Sequence, residues 1–301
     1  MPLLPVSPPQ PVPISSGFDY VVADAVRHRI YAAHPGSQSL LIVDATSGKV
    51  LGQVKVGAVA GIAVDPENGH VFTGNGESRS VSEIDPVKMT ELRSVDTDGN
   101  VDAIAYDPSN GHIYADEDDG THIYVIDAKS MKSVGTVDLP GHKPEYLAIN
   151  PKTHEVYQNI ANLNEFVVID PESMKVKRTV VTPEIKGNHP LQYDPQYDHV
   201  LVGGQNGTLA AYTPDGKLVG KTSIQARVDQ CTLDRSSHEI ACAGSGEITL
   251  LRDQPNAGPT LVARAKVDPE VHTVAIDPAT KRMWFVWAAA KGDFVQALQS
   301  K

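Results

Sequence analysis

The chain has 301 residues, 41% of them hydrophobic and 21% charged, with a formal net charge of −11. That composition is ordinary for a globular protein, and an acidic balance with no run of Lys or Arg argues against a nucleic-acid or anionic-membrane partner. No apolar stretch is long enough to insert into a bilayer, and Met1 is followed by a proline-rich stretch rather than a signal peptide, as in a secretory chain already trimmed at its cleavage site.

Residues 1–9 read as a flexible proline-rich leader. From there one phrase recurs seven times: an apolar strand ending in Asp or Asn, a turn, and a second apolar strand. Its anchors are Asp24, Asp65, Asp107, Asn150, Asp194, Asp234 and Asp277, spaced by 41, 42, 43, 44, 40 and 43 residues. A period near 40 built from short strands predicts propeller blades rather than a helical solenoid. The hairpins are explicit, as in Ile62–Asp65, the turn Pro66-Glu67-Asn68-Gly69, and His70–Phe72, with Asn-Gly making the turn. Most units add a third strand closed by a second acid (Asp44, Asp85, Asp127, Asp170) and a fourth such as Val50–Val56.

Seven four-stranded antiparallel blades account for nearly all residues, so 10–301 is expected to be a single all-β domain. The last unit stops after its third strand, near Phe294–Leu298, and Pro11–Ile14 is placed to supply the missing fourth strand. Joining the two ends in one blade would remove open sheet edges.

Gly141-His142-Lys143-Pro144-Glu145-Tyr146-Leu147-Ala148-Ile149-Asn150-Pro151 and Phe166-Val167-Val168-Ile169-Asp170 resemble the YVTN-repeat (YncE-like) seven-bladed propellers, and the resemblance runs the length of the chain. It implies a bacterial envelope setting, periplasmic or secreted, and a family of binding proteins, surface-layer proteins and lactonase-like relatives. Units five to seven depart from the pattern: Leu209–Tyr212 and Ile248–Leu251 lack the closing acid.

Two cysteines are present. If Asp234 faces Glu239 across its turn, Cys231 lies opposite Cys242. Two buried thiols and a directly cross-strand disulfide both fit that register.

Five residues before each anchor stand Asp19, Ala60, Asp102, Glu145, His189, Asp229 and His272; six of these seven are carboxylate or imidazole. Equivalent positions in a radial fold form a ring, here at the start of the innermost strand beside the channel. Acids at a loop–strand junction also cap backbone N–H groups and face water. A narrow mouth, however, would crowd the carboxylates unless a cation or proton intervened. Two imidazoles among acids favour Zn, Mn, Fe, Ni or Cu over Ca. His189, Asp229 and His272, from consecutive blades, are the expected metal ligands, with Glu145 next. Asp19 and Asp102, and Glu145 when it is not ligating, are the expected catalytic acids or bases.

Loops on the same face add His34, Asn75, Asp116, Glu117, Asn159 and Trp287 as a second layer, and Tyr20 and Tyr146 lie one position below the ring. Of these, Tyr20, His34, Asn75, Glu117, Tyr146, Asn159 and Trp287 are expected to meet a small-molecule substrate. Asp116–Asp119 lacks calcium-loop spacing and reads as a solvated acidic turn.

The expected function is a metal-dependent enzyme at the channel mouth, hydrolysing a lactone or ester or running related enolisation or lyase chemistry. The alternative is a non-enzymatic binding or scaffold propeller. A closed propeller needs no neighbour, so a monomer is expected.

Overall fold

The computed structural model describes residues 2–12 and 17–300. Its first sheet runs Val21–Asp24, Arg29–His34, Ser39–Asp44, Val50–Lys55, and each later sheet repeats that up-and-down order. The innermost strands of blades two to seven are Val59–Val64, Val101–Asp107, Pro144–Ile149, Asn188–Asp194, Gln230–Asp234 and Ala275–Asp277. Each packs beside its neighbour and the last packs against the first, so the ring closes. The result is the all-β seven-bladed propeller that the repeat predicts. Among the described residues its helical content is the single 3-10 turn Pro35–Ser37.

Burial explains why the middle strands read as apolar runs and not as alternating patterns. Each blade is sandwiched between two others, so both faces of strands such as Val71–Asn75 and Val156–Ile160 are buried. The outermost strand of a blade has no such cover, and Thr90–Asp96 is exposed along almost its whole length. The anchor residues close the turns. In every blade the anchor side chain accepts a backbone N–H two or three residues on: Arg27, Glu67, Ser109, Lys152, Gln196, Ser236 and Ala279. Several anchors also clip to the next blade. Asp107 bonds His154 at 3.0 Å, Asn150 bonds the Tyr193 hydroxyl at 2.9 Å, and Asp194 bonds His238 at 2.6 Å. Asp234 pairs with Lys281.

The two chain ends meet in the last blade. Gln10–Val12 pairs with the last strand, Gly292–Ser300, through Gln10–Val295 and Pro11–Phe294. Pro13 and Ile14, expected in the same strand, lie outside the described residues. Leu3–Pro5, inside the stretch expected to be a flexible leader, is instead a second strand on the same edge, with Leu3 opposite Ser300. The cause is apolar burial: Leu3 packs with Ala241, Ile248 and Met283, and Val12 packs with Phe18 and Trp284. Cys231 and Cys242 are direct cross-strand partners, in register with Asp234 opposite Glu239, and form a disulfide. Of the two readings open from sequence, the structure has the bridge.

Deleting residues 2–12 removes two buried apolar side chains and uncovers a sheet edge. The expected cost is about 3–5 kcal/mol, with added self-association from the open edge. Urea unfolding and size-exclusion chromatography of the truncated protein check both.

Candidate functional site at the channel mouth

The innermost strands do not run straight into their ladders. In blades two to five the register shifts between Val59 and Ile62, Val101 and Ile104, Glu145 and Leu147, and Asn188 and Leu191. Each bulge falls at the ring position or directly beside it, occupied by Ala60, Asp102, Glu145 and His189. A bulge turns a strand and re-aims its side chains, which brings these residues to the mouth. Tyr146 pays for its place there with a left-handed backbone, φ 51°.

Four carboxyl groups and two imidazoles from the ring converge. His189 Nε2 lies 3.3 Å from Glu145 Oε2 and 3.3 Å from Asp229 Oδ1. Its Nδ1 donates to the Asp229 backbone carbonyl at 2.9 Å. A neutral imidazole with Nδ1 protonated has its lone pair on Nε2, aimed here at two carboxylates. That contact needs a proton or a cation between the groups: a proton on Nε2, a proton on Glu145 donated to Nε2, or a cation held by all three. His272 Nδ1 meets Asp229 Oδ2 at 2.6 Å.

Charge crowding sets the protonation. Burial, reinforced by Asp118 and Asp229, pushes the Asp102 carboxyl up to about 7. Burial, with Asp102 and Asp229, pushes Glu145 up to about 8. Asp19 is raised well above its usual range by burial and then by Asp102, Asp229 and Glu145. Burial would raise Asp229 too, but the His272 hydrogen bond and the two imidazoles hold it below the ordinary value. His272 is raised in turn, chiefly by its bond to Asp229. The ring therefore divides into an ionised Asp229–His272 pair and a set of carboxyls that keep protons near neutrality.

Beside the ring is a cavity of about 460 Å³ lined by Asp19, Tyr20, Ala60, Asp102, His189 and Asp229, with Glu77 and Asp118 on its rim. Ala60, the ring position without a charge, opens the space on the blade-two side. Among the described residues, no Lys or Arg lines it. A polar bridge links blade six to blades one, four and seven across the channel. Gln230 receives the N–H groups of Val21 and Val274 on its Oε1, and its Nε2 donates to Val21 O and to Tyr146 Oη. The Tyr20 hydroxyl is buried without a hydrogen-bond partner, and its ring lies 5.2 Å from that of Tyr146.

Other expected contacts lie elsewhere, and packing is the reason. His34 is fully buried, stacked on Phe18, with Nε2 on Asp293 at 2.7 Å and Nδ1 accepting from Gln53. It ties blade one to blade seven. Asn75 is buried among Thr73, Ser80 and Ser82. Trp287 is stacked between Phe285 and Phe294. Asn159 holds the carbonyls of His189 and Pro190, positioning the ring from behind. Glu117 accepts from Thr121 N and the Tyr124 hydroxyl and pairs with His122, so it organises its own loop. Its neighbours are the ones that reach the site. Asp118 is on the cavity rim, and Asp116 is buried behind Asp102, bonded to Ala103 N and Gln158. Gln230 was not anticipated, although it shares the column of Tyr20 and Tyr146. Among the described residues, no group of three or more His, Cys, Asp or Glu is arranged so that it could hold a metal ion.

No protein-family model matches the chain, and no curated protein does. Solved structures do. A chain of Kuenenia stuttgartiensis hydrazine synthase superposes with TM-score 0.80 at 18% identity, over 95% of this chain and 97% of that one. U3-55K gives 0.83 at 10% identity, over 96% and 97%. The WD40 repeats of RRP9 give 0.82 at 9% identity, over 99% and 100%. At such identities the likeness is one of fold, the seven-bladed propeller. No helix among the described residues is long and apolar enough to cross a membrane.

The raised carboxyls give a stability signature whose sign is fixed. A carboxyl whose folded pKa lies above its unfolded value binds more protons when folded, so stability falls as pH rises between the two values. For Asp102 that window runs from about 4 in the unfolded chain to about 7 in the folded one. Asp102→Asn should therefore melt above the wild type, with the gap opening across this window and constant at higher pH. Thermal melts in metal-free buffers across the window check it.

Proposed function

We propose that the channel mouth captures a divalent cation and uses it to hydrolyse a lactone or ester. The observation that carries this is the His189 imidazole, pinned through Nδ1 to a carbonyl with Nε2 turned to Glu145 and Asp229. An N–H held by a backbone carbonyl is the usual way a ligating histidine is oriented. The 3.3 Å separations also match the edge of a tetrahedral site, about 3.3–3.4 Å for bonds of about 2.0–2.1 Å. Glu145, His189 and Asp229 form the ligand set in this reading, and His272 backs Asp229 instead of ligating. That revises the ligand set expected from sequence.

The imidazole favours Zn, Mn, Fe, Ni or Cu over Ca. A cation at this point would polarise a substrate carbonyl and acidify a water. Asp102, at about 7, has the protonation balance of a general base or acid at neutral pH. The Tyr20 hydroxyl, kept protonated by burial and by Asp102, is a donor for a substrate oxygen. The Ala60 gap is the room for the substrate. The YVTN-like phrases and a buried disulfide support a protein of the periplasm or exterior, where disulfides persist.

A second reading is a non-enzymatic scaffold that presents its loops to a partner. The structural likeness to WD40 propellers favours it.

Calorimetric titration with Zn²⁺ and Mn²⁺ separates the two. Cation and protons compete for the same carboxyls, so affinity should rise with pH through the range about 6–8.5, with proton release. Asp229→Asn should weaken binding by at least about tenfold, the loss of one charged ligand. Ala60→Leu should leave cation binding intact and suppress lactone and ester turnover. No cation binding at any pH, or equal binding by Asp229→Asn, overturns the proposal in favour of the scaffold.

A further inference from the structure

The far end of the central channel carries a second cavity, of about 260 Å³. The Gln230 bridge to Val21, Val274 and Tyr146 stands between it and the acidic mouth. The two ends differ in chemistry. Among the described residues this cavity is walled by Val64, Tyr106, Ser109, Ile149 and the prolines at 66, 108 and 151, with Asp107 its one acidic and Arg235 its one cationic side chain. The prolines follow anchor residues, so the repeat itself builds an apolar collar here.

Arg235 makes no hydrogen bond or ion pair among the described contacts. The acids around it are already engaged. Asp107 accepts Ser109 N on one oxygen and His154 on the other. Asp194 accepts Gln196 N on one and His238 on the other. Arg235 is exposed and lines the cavity, yet the protein around it partly desolvates the guanidinium and holds its pKa below the usual arginine value, against the pull of Asp194. A guanidinium presents donors in a planar fork that matches a carboxylate. The Tyr106 hydroxyl, which burial and nearby acids keep protonated, is a further donor on the wall.

We propose that this end of the channel is a second ligand site, which binds a small monocarboxylate with an apolar body, the carboxylate on Arg235 and the body within the proline collar. It is independent of the chemistry proposed for the acidic mouth. The net charge of −11 weighs against anions in general and against polyanions most, which leaves a single carboxylate as the anion this site would take.

The test is calorimetric titration of the full chain with benzoate and hexanoate, beside acetate and neutral benzamide. Benzoate and hexanoate should bind, acetate more weakly for want of the apolar contact, and benzamide more weakly for want of the charge. Arg235→Gln should lose about tenfold or more of the benzoate affinity, the scale of a charge-assisted pair, with an unchanged melting temperature. Val64→Trp, which fills the collar, should block benzoate while leaving Arg235 in place. Asp229→Asn, at the other mouth, should bind benzoate as the wild type does. No binding of either carboxylate, equal binding by Arg235→Gln, or loss in Asp229→Asn alone would overturn the assignment.

Discussion

Closure of the ring is the constraint on which the rest depends. Seven blades can share one axis only if each innermost strand begins at the same height beside a narrow channel. Whatever occupies the first position of those strands is then forced into company with its six counterparts. Here that position holds Asp19, Asp102, Glu145 and Asp229 with two histidines. Four carboxylates in so small a space would repel one another strongly in a medium of reduced dielectric. The fold therefore pays in protonation, holding Asp102 near 7 and Glu145 near 8, and in the imidazolium pairing at Asp229.

The closing devices sit at the other end of the strands. Each anchor caps its own turn, and Asp107, Asn150, Asp194 and Asp234 also reach the neighbouring blade. The last blade is completed by the N-terminal segment, so the two ends of the chain hold each other. At the mouth the ring is held by the Gln230 bridge and by Asn159 on the His189 and Pro190 carbonyls, beside the bulges and the left-handed Tyr146.

The repeat made the blades, the anchors, the facing cysteines and the ring column legible, because a period near 40 repeats the same local chemistry at every turn. What it could not convey was depth. His34 and Asn75 occupy loop-proximal columns, yet both are sealed inside blades. Column position alone does not distinguish a side chain facing the channel from one facing the next blade. The Asp116–Asp119 run shows the same limit. Strand alternation and the following turn send Asp116 under the ring, Glu117 into its own loop and Asp118 to the rim. The strand at Leu3–Pro5 is hidden in the sequence for a related reason: Leu3 gains a pocket only when a distant blade supplies it. His272 Nδ1 meets Asp229, a contact between blades that no spacing reveals.

The central claim is that the charge deficit among Glu145, His189 and Asp229 is met by a bound cation. Crystals grown from tag-free, chelator-free protein and soaked in Zn²⁺ or Mn²⁺, measured at the metal absorption edge, address it directly. The expected result is one strong anomalous peak within about 2.0–2.3 Å of Glu145 Oε2, His189 Nε2 and Asp229 Oδ1. An anomalous map with no peak between those three groups, the His189 contacts unchanged, would contradict it.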